Sequence, residues 1–154
     1  MPDPDPDLGG GIPMPPHAYV PGVNARHPEG WFDSIKASVT PEMPVSALAT
    51  TQAWRAGWLY FDAGFYWECH EVLEAVWMQT PDASAERDMV QAVIQLANAR
   101  LKIRMQRPRA AWRLCAMVEA HLARCPREGA ILGVPVARVS GLLYRTVKQL
   151  QNAK

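Results

Sequence analysis

Ten of the chain's 14 prolines lie in its first 44 residues, and this distribution divides the chain into two kinds of segment. Proline removes a backbone donor and clashes with the preceding helical turn, so the first 44 residues cannot form one continuous helix. The other four, Pro81, Pro108, Pro126 and Pro135, leave long uninterrupted stretches between them. The chain therefore reads as a proline-rich arm over residues 1–45 and a helical domain over 46–152. Within the arm, residues 1–16 have the polar, proline-rich composition of disorder. The stretch from His17 to Trp31 carries Tyr19, His27 and Trp31 and is expected to dock on the domain. A short helix is expected from Gly30 to Val39, using Phe32, Ile35 and Val39.

Beyond Pro44 the apolar residues follow a helical period. Ser46 suits an N-cap, and Ala47, Thr51, Trp54, Trp58 and Phe61 recur at the 4-3-4-3 spacing of one helix face. Gly64 ends that helix. A second helix is expected from Phe65 to Gln79, before Pro81. A third runs from Ser84 to Gln106. Pro108 suits the first turn of a fourth, reaching Arg124. Pro126, Gly129, Gly133 and Pro135 mark a loop, after which Val136, Val139, Leu143, Val147 and Leu150 define the last helix. No segment sustains the alternation of a strand. The fold class is all-α, a compact array of about five helices with a Pro-rich N-terminal arm.

With 154 residues the chain fits one domain, and 49% hydrophobic with 20% charged residues is an ordinary globular mixture. No stretch approaches the roughly 20 apolar residues of a membrane helix, so no membrane partner is expected. The N-terminus is acidic and lacks the apolar segment of a secretory signal. The three cysteines, Cys69, Cys115 and Cys125, form no CxxC, which argues against a disulfide framework and a zinc ribbon. A cytoplasmic protein is the expectation.

Charge is unevenly spread. Residues 1–88 carry 13 acids against 4 Lys or Arg, and residues 89–154 carry 12 Lys or Arg against 2 acids. The two halves can neutralise each other on packing, or leave a basic surface for an anionic partner. The run Arg100, Lys102, Arg104, Arg107, Arg109 and Arg113 is the densest basic segment. A single-stranded nucleic-acid surface would interleave aromatics with it for stacking, and only Trp112 lies close, so nucleic acid ranks last among the readings.

The segment from Phe61 to Trp77 concentrates aromatics, acids and a histidine. On a helix, Phe65, Tyr66, Cys69, Val72, Leu73 and Val76 share one face. Trp77, His70, Glu74 and Trp67 continue it around one edge, and Glu68 and Glu71 point further outward. So wide an apolar arc needs neighbours on two sides. His70 and Glu74, one turn apart, can hydrogen-bond, and the carboxylate would orient the imidazole and raise its basicity. The same pair would equally serve as a structural latch, since buried polar groups must be paired whatever their purpose. His-Glu-x-x-Glu matches a zincin motif in outline only, and Trp67 stands where a di-iron ExxH motif needs glutamate. A divalent metal held by His70 and Glu74 would need a further ligand, for which His121, His17 and His27 are the candidates. On the third helix Gln91, Gln95, Asn98 and Lys102 form a polar stripe, and an inward Gln95 could extend the His70–Glu74 network.

Phe61-x-x-Gly64-x-Tyr66-Trp67-Glu68-x-His70-Glu71-x-Leu73-Glu74-x-x-Trp77 resembles the signature of the domain-of-unknown-function family 309. Val90 to Ala99, centred on Ile-Gln-Leu-Ala, resembles that family's second block, and Leu132-Gly-Val before a helix resembles its C-terminal block. The resemblance spans about Leu48 to Leu150. It implies an all-helical domain and places Glu68, His70, Glu71, Glu74, Trp77 and Gln95 at signature positions. It implies no activity. Pro135 departs from the pattern, and the proline-rich arm lies outside it.

Two functions follow as expectations. The first is a small-ligand or metal-assisted site, hydrolytic or proton-transferring, with His70, Glu74 and Glu71 as its reactive groups and Trp67, Trp77, Gln95, Glu68 and Tyr66 as its lining. The second is a non-enzymatic helical interaction module, self-association included, in which the His-Glu pair is a latch.

Overall fold

The computed structural model describes residues 11–152. After an extended arm come α1 (Asp33–Lys36), a 3-10 helix (Val45–Thr50), α2 (Gln52–Ala63), α3 (Tyr66–Trp77), α4 (Ala85–Arg104) and α5 (Pro108–Ala123). A two-residue hairpin, β1 (Ala130–Ile131) with β2 (Val134–Pro135), precedes α6 (Val136–Asn152). The all-α expectation holds, with five long helices where the apolar spacing places them. The hairpin is too short for strand alternation to show. Its turn residues Leu132 and Gly133 both have positive φ, the geometry of tight hairpin turns.

The start of α2 is a correction. Thr51, not Ser46, is the cap: its extended backbone ends the 3-10 turn, and its side chain accepts from the Trp54 N–H. Apolar spacing cannot separate a 3-10 turn from the α-helix that follows, because both place every third or fourth residue on one side. The short arm helix is likewise reduced to a single turn around the buried Ile35.

Each helix packs on the next, and α4 also meets α6. α4 is the axis of the domain, burying a broad face that includes Met89, Val93, Leu96 and Ala97. α3 lies between α2 and α4, with α1 against it, so it does have neighbours on two sides. Arg100 crosses the interior seam. It donates to the Thr146 hydroxyl, the Leu142 carbonyl and the Tyr66 hydroxyl, and lies over the Phe61 ring. Arg104 donates to the Gly64 carbonyl. Two members of the basic run are therefore ties between helices. Arg107, Arg109 and Arg113 stay exposed.

The arm is part of the same core. Ile12, Phe32 and Ile35 join the apolar cluster of the helices, and the buried Tyr60 hydroxyl donates to the Pro13 carbonyl. Of the segment expected to be disordered, residues 1–10 lie outside the described residues, and the chain is seated on the domain from Ile12 onward.

Candidate functional site

Gly64 sets the position of the site. In the left-handed conformation, φ 85°, it turns the chain sharply between α2 and α3, which only glycine does at no steric cost. The turn places Glu68 in the first turn of α3, where the helix dipole favours a carboxylate.

Glu68 does not face outward, which corrects the expectation from the helical wheel. Its side chain is 0% exposed, and the arm covers it. Oε2 accepts from the Tyr19 backbone N–H at 2.7 Å and is 2.6 Å from His27 Nε2. With Glu68 a carboxylate, which only accepts, Nε2 carries the proton and Nδ1 holds the lone pair of the neutral ring. Glu68 Oε1 and His27 Nδ1 are buried without any hydrogen bond; among the described residues only Trp58 Nε1 shares that condition. Buried polar atoms are nearly always paired, and here two orphans belong to one hydrogen-bonded pair.

Aromatic rings enclose the pair. His17 lies 4.6 Å from His27 between ring centres, and Phe32, Trp31 and Trp67 stand within 6.0 Å. Arg26 sits over Trp67. With Arg26 and Glu29, His27 lines a cleft of about 420 Å³ at the surface of the arm. Burial holds the Tyr60 hydroxyl well above its ordinary pKa, and the Glu68 charge adds to the effect. Burial does the same for the Cys69 thiol, reinforced by Asp62 and Glu68. Neither is an anion near neutral pH, so Glu68 and His27 are the groups suited to proton chemistry here.

The residues singled out by spacing fall in different places. His70 and Glu74 are partly exposed, 33% and 56%, and only 3.9 Å apart at closest approach. Glu71 takes a hydrogen bond from Lys36. Tyr66 is tied to Arg100, with Arg104 over its ring. Gln95 accepts from Asn98 on its own helix. Trp67 joins Glu68 beside the arm, Glu71 meets the arm separately through Lys36, and Trp77 lines a separate cleft under Arg87. The sequence places His27 in the docking stretch of the arm and among the spare metal ligands, but not as the partner of Glu68. The available signal was the aromatic company of the arm, Tyr19 and Trp31 flanking His27.

That separate cleft joins α4 to α5. Asp88 Oδ1 is 2.8 Å from His121 Nδ1 and accepts from Arg124 Nε at 3.1 Å. Burial alone would raise the Asp88 pKa, but the hydrogen bonds and charges of His121 and Arg124 outweigh it and leave it below the ordinary value. A lowered folded pKa gives stability that is complete above the unfolded value, about 3.9. That stability is lost as pH falls through the folded value. Discounted for the exposed Arg124, the contribution is about 1 kcal/mol. Urea unfolding should show Asp88→Asn weaker than wild type at neutral pH, with the gap closing in acid.

Among the described residues no group of three or more His, Cys, Asp or Glu side chains is placed to hold a metal ion. His27 and Glu68 bind each other, and His70 and Glu74 gain no third ligand, so the divalent-metal expectation finds no fitting donor set. Among the same residues no helix is long and apolar enough to cross a membrane. A family model described as "Domain of unknown function (DUF309)" matches residues 54–114. No curated protein and no solved structure matches the chain.

Proposed function

We propose that the protein binds a small polar molecule at the seam between the arm and α3; the family model matched over residues 54–114 names no activity. The observation that carries this reading is the buried Glu68–His27 pair with an idle atom on each partner. Glu68 fixes the imidazole through Nε2 and stabilises it when protonated. His27 Nδ1 then serves as hydrogen-bond acceptor or general base. Arg26 and Glu29 supply the polar rim of the cleft, and Trp67 and Trp31 pack beside the His27 ring. Where the bound molecule reacts, the step is a proton abstraction or the activation of water. His70 and Glu74 support a weaker version of the same reading on the neighbouring, exposed face of α3.

A latch is the second reading, favoured by the Tyr19 N–H bond that pins the arm to Glu68. Ligand-observed NMR with a library of small polar fragments separates the two. Under the binding reading, fragments bind wild type and His70→Ala alike, and lose binding in Glu68→Gln and His27→Gln. A library without hits, or hits indifferent to both site variants while these remain folded, would leave the latch.

A further inference from the structure

A second cleft, of about 560 Å³, lies between the end of α3, the start of α4 and the end of α5. Its polar lining is built around Asp88, whose carboxylate is occupied by His121 and Arg124. Asp88 is thus neutralised by its own neighbours and does not repel an incoming anion. The Asp88 contact engages His121 through Nδ1 and leaves Nε2 without a hydrogen bond among the described residues. Arg87 lies 3.9 Å above the Trp77 ring, an arrangement that holds a guanidinium flat and keeps its edge free for hydrogen bonds. One Arg87 nitrogen donates to the Thr80 carbonyl, and its approach to Asp82 is a loose 3.7 Å contact with a fully solvated carboxylate. Two guanidinium groups against one carboxylate leave the lining net positive, and Trp77 adds an apolar wall. The long helix α4 starts here at Ser84 and adds the positive end of its backbone dipole.

From this arrangement we propose that the cleft binds a small organic anion, a carboxylate or phosphate carried on an aromatic body, with Arg87 and Arg124 on the charged group and Trp77 and His121 beside the ring. The cleft is separate from the Glu68–His27 seam, and its occupancy does not depend on that reading. Neither spacing nor charge counting finds it, since His121, Asp88 and Trp77 come from three helices.

Titration of the full chain with phenyl phosphate, benzoate, inorganic phosphate and benzylamine, followed by the Trp77 indole and His121 imidazole NMR signals, tests the proposal. Phenyl phosphate and benzoate are expected to shift both signals, inorganic phosphate to bind more weakly than phenyl phosphate, and benzylamine not to bind. Arg87→Gln should weaken phenyl phosphate by about tenfold. Arg124→Gln also loosens Asp88, so Gln91→Glu provides the second variant. It adds a negative charge to the lining without removing a contact of Arg87, Asp88 or His121, and should weaken the anions by a similar factor. No shift with either aromatic anion, binding of benzylamine as strong as that of benzoate, or affinities unchanged in both Arg87→Gln and Gln91→Glu would overturn the proposal.

Discussion

Glu68→Ala is expected to lower the free energy of unfolding by about 3–5 kcal/mol, the largest effect of any single change to the arm–helix seam. The reason is the asymmetry of a buried, hydrogen-bonded pair that loses one partner. Removing the carboxylate strands His27 Nε2 and the Tyr19 N–H together, since both end on the same oxygen. Nothing nearby replaces that acceptor. Glu68→Gln keeps a carbonyl for the Tyr19 N–H and should cost less, about 1–2 kcal/mol. The double change Glu68→Leu with His27→Leu removes the buried carboxylate and its partner together and should cost less than Glu68→Ala, because neither polar group is left stranded. Chemical denaturation of wild type, Glu68→Leu, His27→Leu and the double variant measures the coupling. A Glu68→Ala variant within about 1 kcal/mol of wild type would mean that the arm contributes little to holding the carboxylate.

Gly57→Ala is the second large effect. Alanine is the better helix former by about 1 kcal/mol, and Gly57 sits within α2, so propensity alone predicts stabilisation. Packing predicts the reverse. A Cβ at this position would lie 2.2 Å from Leu73 Cδ2 and 2.5 Å from its Cγ. Leu73 is fully buried and has no room to retreat. Separating α2 from α3 to admit the methyl loosens the contact that also carries Glu68, and a net loss of about 2–3 kcal/mol is expected. Leu73→Ala alone should cost about 2–5 kcal/mol. Combined with Gly57→Ala it should cost less than the sum, because the added methyl fills part of the space the leucine leaves. A Gly57→Ala protein as stable as wild type would show that the two helices slide freely.

Much of the fold is legible in the chain because helices are local. Trp54, Trp58 and Phe61, or Val139, Leu143 and Val147, declare their helix without reference to anything distant. Ser84 and Pro108 mark starts that the structure keeps. What the helical wheel cannot supply is the identity of the neighbour. On α3 the residues at 68, 70, 71 and 74 are all polar, and the wheel ranks them only by angle from the apolar face. The arm decides among them, reaching Glu68 from 49 and 41 residues away through Tyr19 and His27. It leaves His70 and Glu74 partly exposed. The spacing of that exposed pair is genuine, but spacing reports adjacency and not burial. Glu68 stood in the family signature throughout, without a physical reason until the arm was seen to cover it.

The three cysteines, on α3, on α5 and just past the end of α5, are all buried and all free thiols. Burial raises the pKa of each, most strongly Cys69. A thiol reacts with oxidants and electrophiles as the thiolate, and only where reagent can reach it. In the folded protein neither condition is met. The susceptibility of this chain to oxidative damage is therefore set by how often its helices part rather than by the chemistry of its sulfurs. Cys69, between α2 and α4, waits on the opening of the whole domain, while Cys125, just past the end of α5, needs only that end to fray.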